Sequence, residues 1–345
     1  MKKILGFTIV ILLIIAIALI SAVWNLPNTN TRTERVMIES GSTLNSNAAA
    51  WEKEGWLPSA LLLRIQARVL DQQHVLKAGE YDVPAALTGP ELLNWFTSAK
   101  PVTYRVSLIE GTQLTDALGA LKVATRLTQD IEPLTPESVS ALLGIKGNPE
   151  GWLYPDTYVY QSGEKVSAVL QQAYDRMNRQ LAKAWAERDE ELPYKVPYEA
   201  LIMASIVEKE TAVVAERPEI AGVFVRRLQR KMRLETDPTV IYGMGDTYKG
   251  NIRKKDLLNR KNPYNTYRIK GLPPTPIALA GRAALDAALN PADGKALFFV
   301  AKGDGSHQFS ATLKEHNKAV YQYQIKGRKK NYRSTPASSS SGSGK

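Results

Sequence analysis

Leu201-Ile-Met-Ala-Ser-Ile-Val-Glu-Lys-Glu-Thr211 is an apolar run that closes on two acids flanking a lysine. At roughly 100° per residue, Ile202, Met203, Ile206 and Val207, continued by Val213 and Val214, fall on one side of a helix. That spacing predicts a helix over 198–215 and a second over 218–232. Glu210 projects near the middle of the apolar side, and Glu208 lies about 160° away on the same wheel. An ionised carboxylate among apolar side chains is costly, so it either pairs with a cation or has its pKa raised. A raised carboxyl pKa suits a general acid that protonates a leaving oxygen near neutral pH. On the pattern alone a second reading stays open, in which the helix ends near Thr211 and leaves Glu210 at a solvated rim.

Outward from this helix, short helices and strands alternate. Upstream, Glu150-Gly-Trp-Leu-Tyr-Pro-Asp-Thr-Tyr158 is aromatic and turn-rich. Val166, Val169, Leu170, Ala173, Met177, Leu181 and Trp185 then mark one face of a long helix. Downstream, Leu272-Pro-Pro-Thr-Pro276 forbids regular structure, 280–289 reads as a helix stopped by Asn290-Pro291, and 297–300 as a buried strand. Towards the N-terminus, 35–39 and 102–109 alternate as strands, and Ser42 or Thr43 caps a helix reaching about Gly55. A helix over 58–70 carries Leu61, Leu62, Ile65 and Val69 on one stripe, Lys77 to Val83 turns into a strand, and 88–98 is helical. Gly41-Ser-Thr-Leu44 and Gly111-Thr-Gln-Leu114 each follow a strand that ends in an acid, and each opens a helix. The class is α+β, with a small unit over 35–103 and a larger one over 104–325.

Residues 4–24 carry no charge and are almost wholly apolar. At about 1.5 Å per residue they span roughly 30 Å, the hydrocarbon thickness of a bilayer. Lys2 and Lys3 precede this stretch, within a tip at 1–3, and the next charge is Arg32. The positive-inside rule then places the N-terminus in the cytoplasm and the body outside it, with Trp24 at the far interface and a linker over 25–34. The expected location is the cytoplasmic (inner) membrane, single-pass, with a periplasmic or extracytoplasmic body. A cleaved signal peptide fits less well, because the apolar region is long and Ile20-Ser-Ala22 is a poor cleavage site.

The 345 residues include 45 Lys+Arg against 34 Asp+Glu, a net charge of +11, and no cysteine. Six basic residues and no acid lie in 326–345, a basic, Ser/Gly-rich segment read as a disordered tail, and Lys2 and Lys3 add two more. Only +3 is left for 4–325, which gives no field for nucleic acid. Arg226, Arg227, Arg230, Lys231 and Arg233 read as the solvated side of a helix. Without cysteine there is no thiol nucleophile, disulfide or thiolate metal site. His74, His307 and His316 lack metal-ligand spacing, so neither metal nor cofactor is expected.

Eight motifs stand in order: Lys77-Ala-Gly-Glu-Tyr81, Glu110-Gly111, Glu150 to Tyr158, Ala204-Ser-Ile-Val-Glu-Lys-Glu-Thr211, Thr236-Asp-Pro-Thr-Val240 with Tyr242, Tyr264-Asn-Thr-Tyr267, Gly271-Leu-Pro-Pro274, and His307-Gln-Phe-Ser310 with His316-Asn317. In this order they resemble the endolytic murein transglycosylase family (MltG, or YceG-like). The resemblance implies a membrane-anchored lyase that cuts peptidoglycan glycan strands between N-acetylmuramic acid and N-acetylglucosamine without water, leaving 1,6-anhydromuramoyl ends. It puts the catalytic glutamate on Glu210, the residue the wheel singles out independently. It implies a LysM-like subdomain over 35–103, a transglycosylase domain over 104–325, and peptidoglycan synthases (penicillin-binding proteins) as partners. By these motifs, and because tyrosine stacks on sugars while asparagine and threonine hydrogen-bond them, Tyr242, Asn265, Thr266 and Tyr267 are substrate-binding candidates, with Glu208, Asp237 and His307 beside them. The alternative from another class is a non-catalytic peptidoglycan-binding scaffold.

Overall fold

The computed structural model describes residues 2–29 and 31–326. The chain divides into two compact units: Met1–Tyr104 with Thr125–Thr128 and Val159–Glu164, and Arg105–Ala124 with Gln129–Tyr158 and Lys165–Lys345. The fold is mixed α and β, and among the described residues its strands form three two-stranded sheets. The segment expected as a tail lies outside the described residues except for Lys326, which ends a helical turn at Tyr321–Lys326.

The first unit opens with α1 (Lys2–Trp24), long and apolar enough to cross a membrane and exposed from Ile4 to Val23. β1 (Glu34–Ile38), α2 (Leu44–Lys53), α3 (Ala60–Val69), β2 (Gly79–Val83) and α4 (Gly89–Ser98) follow. β1 and β2 pair antiparallel, with Glu34 opposite Val83 and Ile38 opposite Gly79. Capping boxes of Thr43 with Ser46 and of Thr88 with Glu91 satisfy the first N–H groups of α2 and α4. Trp51 stacks on Phe96 at 5.2 Å, and Tyr81 meets Phe96 edge-on at 5.6 Å. Glu80, next to Tyr81 in β2, is buried on the other face of the strand; it accepts hydrogen bonds from Tyr104 Oη and, at 3.2 Å, from Ser162 Oγ, and its ion pair with Arg126 measures 3.1 Å. That partner set is why an acid can be buried here.

α3 differs from expectation in which side it buries. Ala60, Leu63 and Ala67 face the core, while Leu61, Ile65 and Val69 point outward. Two alanines on the inner side let α3 approach α2 and α4 closely, and the longer side chains are left outside.

The chain continues through β3 (Thr103–Ser107), α5 (Leu114–Lys122), α6 (Pro136–Leu143), β4 (Thr157–Gln161) and α7 (Val166–Ala186). Next come α8 (Pro197–Glu210), α9 (Arg217–Gln229), α10 (Asp237–Met244), α11 (Lys254–Leu258), α12 (Arg282–Leu289), β5 (Phe298–Ala301), β6 (His307–Ser310) and α13 (Leu313–Val320). β5 and β6 pair antiparallel, with Ala301 opposite His307. The predicted strand over 297–300 buries only Leu297 and Val300, since both phenylalanines of β5 are partly exposed.

α8 is the centre of the second unit. Every residue from Ala200 to Glu208 is buried, with α7, α9, α10 and α12 packed around the helix. The helix is therefore enclosed on all sides, where the wheel predicted one apolar face. Its polar Ser205 is satisfied, donating to Ile202 O at 2.7 Å and accepting from Ile277 N at 3.0 Å, which ties the proline loop to the helix. α8 also stops five residues early. Thr211 takes an extended backbone and its hydroxyl accepts from Val213 N at 3.0 Å, so the chain turns into α9. The basic run is not simply solvated: Arg227 is buried, donating to Leu297 O at 2.7 Å and to Leu234 O at 3.0 Å.

Candidate active site

Glu210 is the last residue of α8, where the helix presents unpaired carbonyls and the negative end of its dipole. Both disfavour an ionised carboxylate. Burial is the main cause that pushes the Glu210 carboxyl up to about 7, with a hydroxyl lowering it and the neighbouring Asp237 raising it. That hydroxyl belongs to Thr236, which donates to Glu210 Oε1 from the residue ahead of α10. Glu210 remains partly accessible, opening onto a cleft of about 650 Å³ shared with Thr236, Asp237, Tyr267, Phe299 and His307.

The walls of this cleft are braced by polar pairs. Thr236 N donates to Thr266 Oγ1 at 3.0 Å, and Thr239 Oγ1 lies 2.9 Å from Thr266 Oγ1. Tyr267 Oη donates to Asp237 Oδ1 at 2.7 Å, and burial with this carboxylate pushes the phenol up. On the opposite wall Glu216 accepts from His307 N at 2.9 Å and lies 2.7 Å from Nδ1, which orients the imidazole. Phe299 meets that ring edge-on at 5.5 Å.

Glu208, two residues before Glu210, has a different fate. Arg217 donates to its Oε1 at 2.6 Å and Gly281 N to its Oε2 at 3.0 Å. Burial pushes its carboxyl up, while the Gly281 N–H and the guanidinium oppose this and favour the anion. The pair joins α8 to the starts of α9 and α12. Glu110 packs over Gly281, where a Cβ would lie 1.9 Å from Glu110 Oε1 and would force that side chain to move.

The sequence candidates therefore separate. Glu210, Asp237, Tyr267 and His307 share one cleft. Thr266 and Asn265 are fully buried, and their polar atoms are engaged by protein. Asn265 Nδ2 reaches the carbonyls of Asp256, Leu257 and Asn259, the last at 2.8 Å, and its Oδ1 accepts from Tyr267 N at 3.1 Å. Glu208, Asn265 and Thr266 are buried among protein partners and hold the walls that carry other residues. Among the described residues no three His, Cys, Asp or Glu side chains converge as metal ligands.

The model of the YceG-like family matches residues 36–322. The chain belongs to the YceG-like family. A Bacillus subtilis (strain 168) relative named endolytic murein transglycosylase is 31% identical over 309 residues, 84% of this chain and 85% of that one. A Streptococcus pneumoniae serotype 2 relative of the same name is 24% identical over 327 residues, 84% of this chain but 58% of its own. A 2.6 Å crystal structure of a yceG-like protein from Listeria monocytogenes matches with a TM-score of 0.52 and 28% identity, over 83% of this chain and 99% of that one.

In this YceG-like chain Tyr242 lies on a different groove, of about 740 Å³, also lined by Asn148, Glu150 and Tyr264. Its hydroxyl donates to Glu150 Oε2 at 3.3 Å, and its ring meets Tyr264 edge-on at 4.8 Å. Tyr242 is thus not brought beside Glu210. Sequence reasoning passed over Glu150 as an ionisable group, although desolvation pushes it, too, up to about 7. The signal available was an acid opening an aromatic, turn-rich motif. Glu150 is 3% exposed and accepts from Leu114 N at 2.9 Å at the start of α5, so its oxygens serve the fold.

Proposed function

We propose that this chain is a membrane-anchored endolytic murein transglycosylase in which Glu210 acts first as general acid and then as general base. The observation that carries the proposal is a carboxyl raised to about 7 that still opens on a cleft. Protonated Glu210 donates to the glycosidic oxygen between N-acetylmuramic acid and N-acetylglucosamine as positive charge develops at C1. The resulting carboxylate takes the proton of the muramoyl C6 hydroxyl, whose oxygen bonds to C1 and closes the 1,6-anhydro ring. Glu210 ends as it began, and no water is consumed. A hydrolase must activate water with a second carboxylate, a task this route removes. Asp237 is instead engaged by Tyr267.

Tyr267 and His307 serve in this scheme as the aromatic and polar contacts of the sugar at the cleft. α1 serves as the single transmembrane anchor, with Lys2 and Lys3 on the cytoplasmic side and the cleft acting outside on nascent strands. The unit containing 35–103 is the LysM-like part, and peptidoglycan synthases are the expected partners. Digestion of uncrosslinked glycan strands by wild type and Glu210→Gln, read by mass spectrometry, tests the proposal. Anhydro products from wild type alone are expected. Equal anhydro product from both proteins removes Glu210 from its role, reducing-end products alone make the enzyme a muramidase, and binding without cleavage favours a scaffold.

A further inference from the structure

The outer side of α3 carries Leu61, Ile65 and Val69 in one row, with Leu70 just beyond the helix, at exposures of 62, 51, 77 and 51%. A contiguous row of this kind marks a contact surface more often than a scatter of single apolar residues does. Arg64 and Arg68 flank the row, and the helix has no acid. Arg64 reaches Asn45 O at 3.1 Å, whereas Arg68 is exposed.

α1 runs into this surface within the same unit. Trp24 Nε1 donates to Gln66 Oε1 at 2.8 Å, and the indole covers Gly89 so closely that a Cβ there would lie 2.4 Å from the ring. Ile17 and Ile20 of α1 face Leu62, Ile65, Val69 and Leu70 across a hollow of about 500 Å³. These two isoleucines stand seven and four residues before Trp24, about 10 and 6 Å back along the helix axis. If Trp24 marks the outer interface, the hollow opens at the depth of lipid chains.

We propose that α3 lies in the outer boundary of the bilayer, its row of Leu61, Ile65, Val69 and Leu70 among acyl chains beside α1 and Arg64 and Arg68 at anionic headgroups. The proposal rests on α1 spanning the membrane. Its occupant is lipid because the row is continuous with the lipid-facing side of α1 and is edged by cations. The consequence is that the first unit is held at the membrane surface by two contacts instead of swinging on a single helix.

The chain has no cysteine, so single-cysteine probes need no prior substitution. Full-length Ile9→Cys, Ile65→Cys, Val69→Cys and Glu52→Cys, labelled with a nitrobenzoxadiazole dye and reconstituted in phosphatidylcholine–phosphatidylglycerol vesicles, are read against doxyl-labelled lipid and aqueous iodide. Ile9 lies within α1, and Glu52 is exposed on α2. Labels at 9, 65 and 69 are expected to be quenched severalfold more by lipid than by iodide, and the label at 52 the reverse. Lipid quenching at 9 with iodide quenching at both 65 and 69 overturns the proposal and leaves the anchor standing. Iodide quenching at all four positions removes the anchor reading and the proposal with it. Protection at 65 and 69 from both quenchers, lost when protein is diluted in lipid, assigns the row to a second copy instead.

Discussion

Glu208 and Glu210 share a helix, lie two residues apart, and meet opposite circumstances. Glu208 faces a guanidinium at 2.6 Å and a backbone N–H, and it is buried. Glu210 has one hydroxyl donor, sits at the negative end of the helix, and opens on a cleft. The difference teaches that burial alone does not make an acid reactive: an anion with a paired cation is a joint in the fold, while a proton held without one is available for transfer. Glu150 gives a third case, raised to the same value as Glu210 but almost wholly buried, with its oxygens engaged by Leu114 N and Tyr242 Oη at the edge of its own groove.

The contrast is broken most directly by Glu210→Gln, which keeps the shape and removes the transferable proton. Formation of 1,6-anhydro product should fall by about 10³-fold or more, measured by quantitative mass spectrometry of digested strands. Glu208→Gln retains Glu210 and should keep most activity in whatever fraction folds.

Arg217→Met leaves the Glu208 carboxylate buried without its cation and should cost about 3–5 kcal/mol of stability. Denaturant unfolding of the second-unit signal checks this. The double variant with Glu208→Gln should recover much of the loss, and no recovery would show that the arginine acts through packing.

Glu210 should oppose stability in the other direction. Its folded pKa of about 7 exceeds the ordinary 4.5, so the folded chain binds that proton more tightly than the unfolded one. Wild type therefore loses stability relative to Glu210→Gln as pH rises from 4.5 through about 7, and the deficit is complete above that, at most about 3 kcal/mol. Melting curves of both proteins at pH 5 and pH 8 should diverge far more at the higher pH. For the same reason kcat/KM should fall as pH rises through about 7, because the free enzyme must hold the proton.

Thr236→Val removes the hydrogen bond that favours the Glu210 anion. The falling limb of the pH–rate profile should move to higher pH with a severalfold change in rate at neutral pH. Tyr242→Phe should have the smallest effect, within about 1 kcal/mol of stability and with near wild-type turnover, since Tyr242 touches Glu150 and not the Glu210 cleft. A large loss of turnover would mean that the second groove holds substrate.

Much of this was legible in the chain. Periodicity marked α7 and α8, Ser42 or Thr43 stood as the cap of α2, and the apolar stretch before Trp24 needed only its length and flanks. Glu210 stood out as an acid in an apolar helix. α6, α10, α11 and α13 went unread, being eight residues or shorter with too few turns for a period to emerge. Arg227 was misread because a charge run says nothing of the carbonyls of residues 233, 234 and 297 that come to meet it.

Sequence by itself determined where the helices carry apolar residues, which glutamate stood among them, and that no thiol was available. Those follow from residue type and spacing, which are local. Tertiary structure alone decided that α8 is enclosed on every side, that α3 turns its larger side chains outward, and that Asn265 and Thr266 brace a wall while Tyr242 belongs to another groove. It also decided which of two acids has Arg217 beside it and which has only Thr236, because a carboxylate's protonation depends on partners brought from distant parts of the chain.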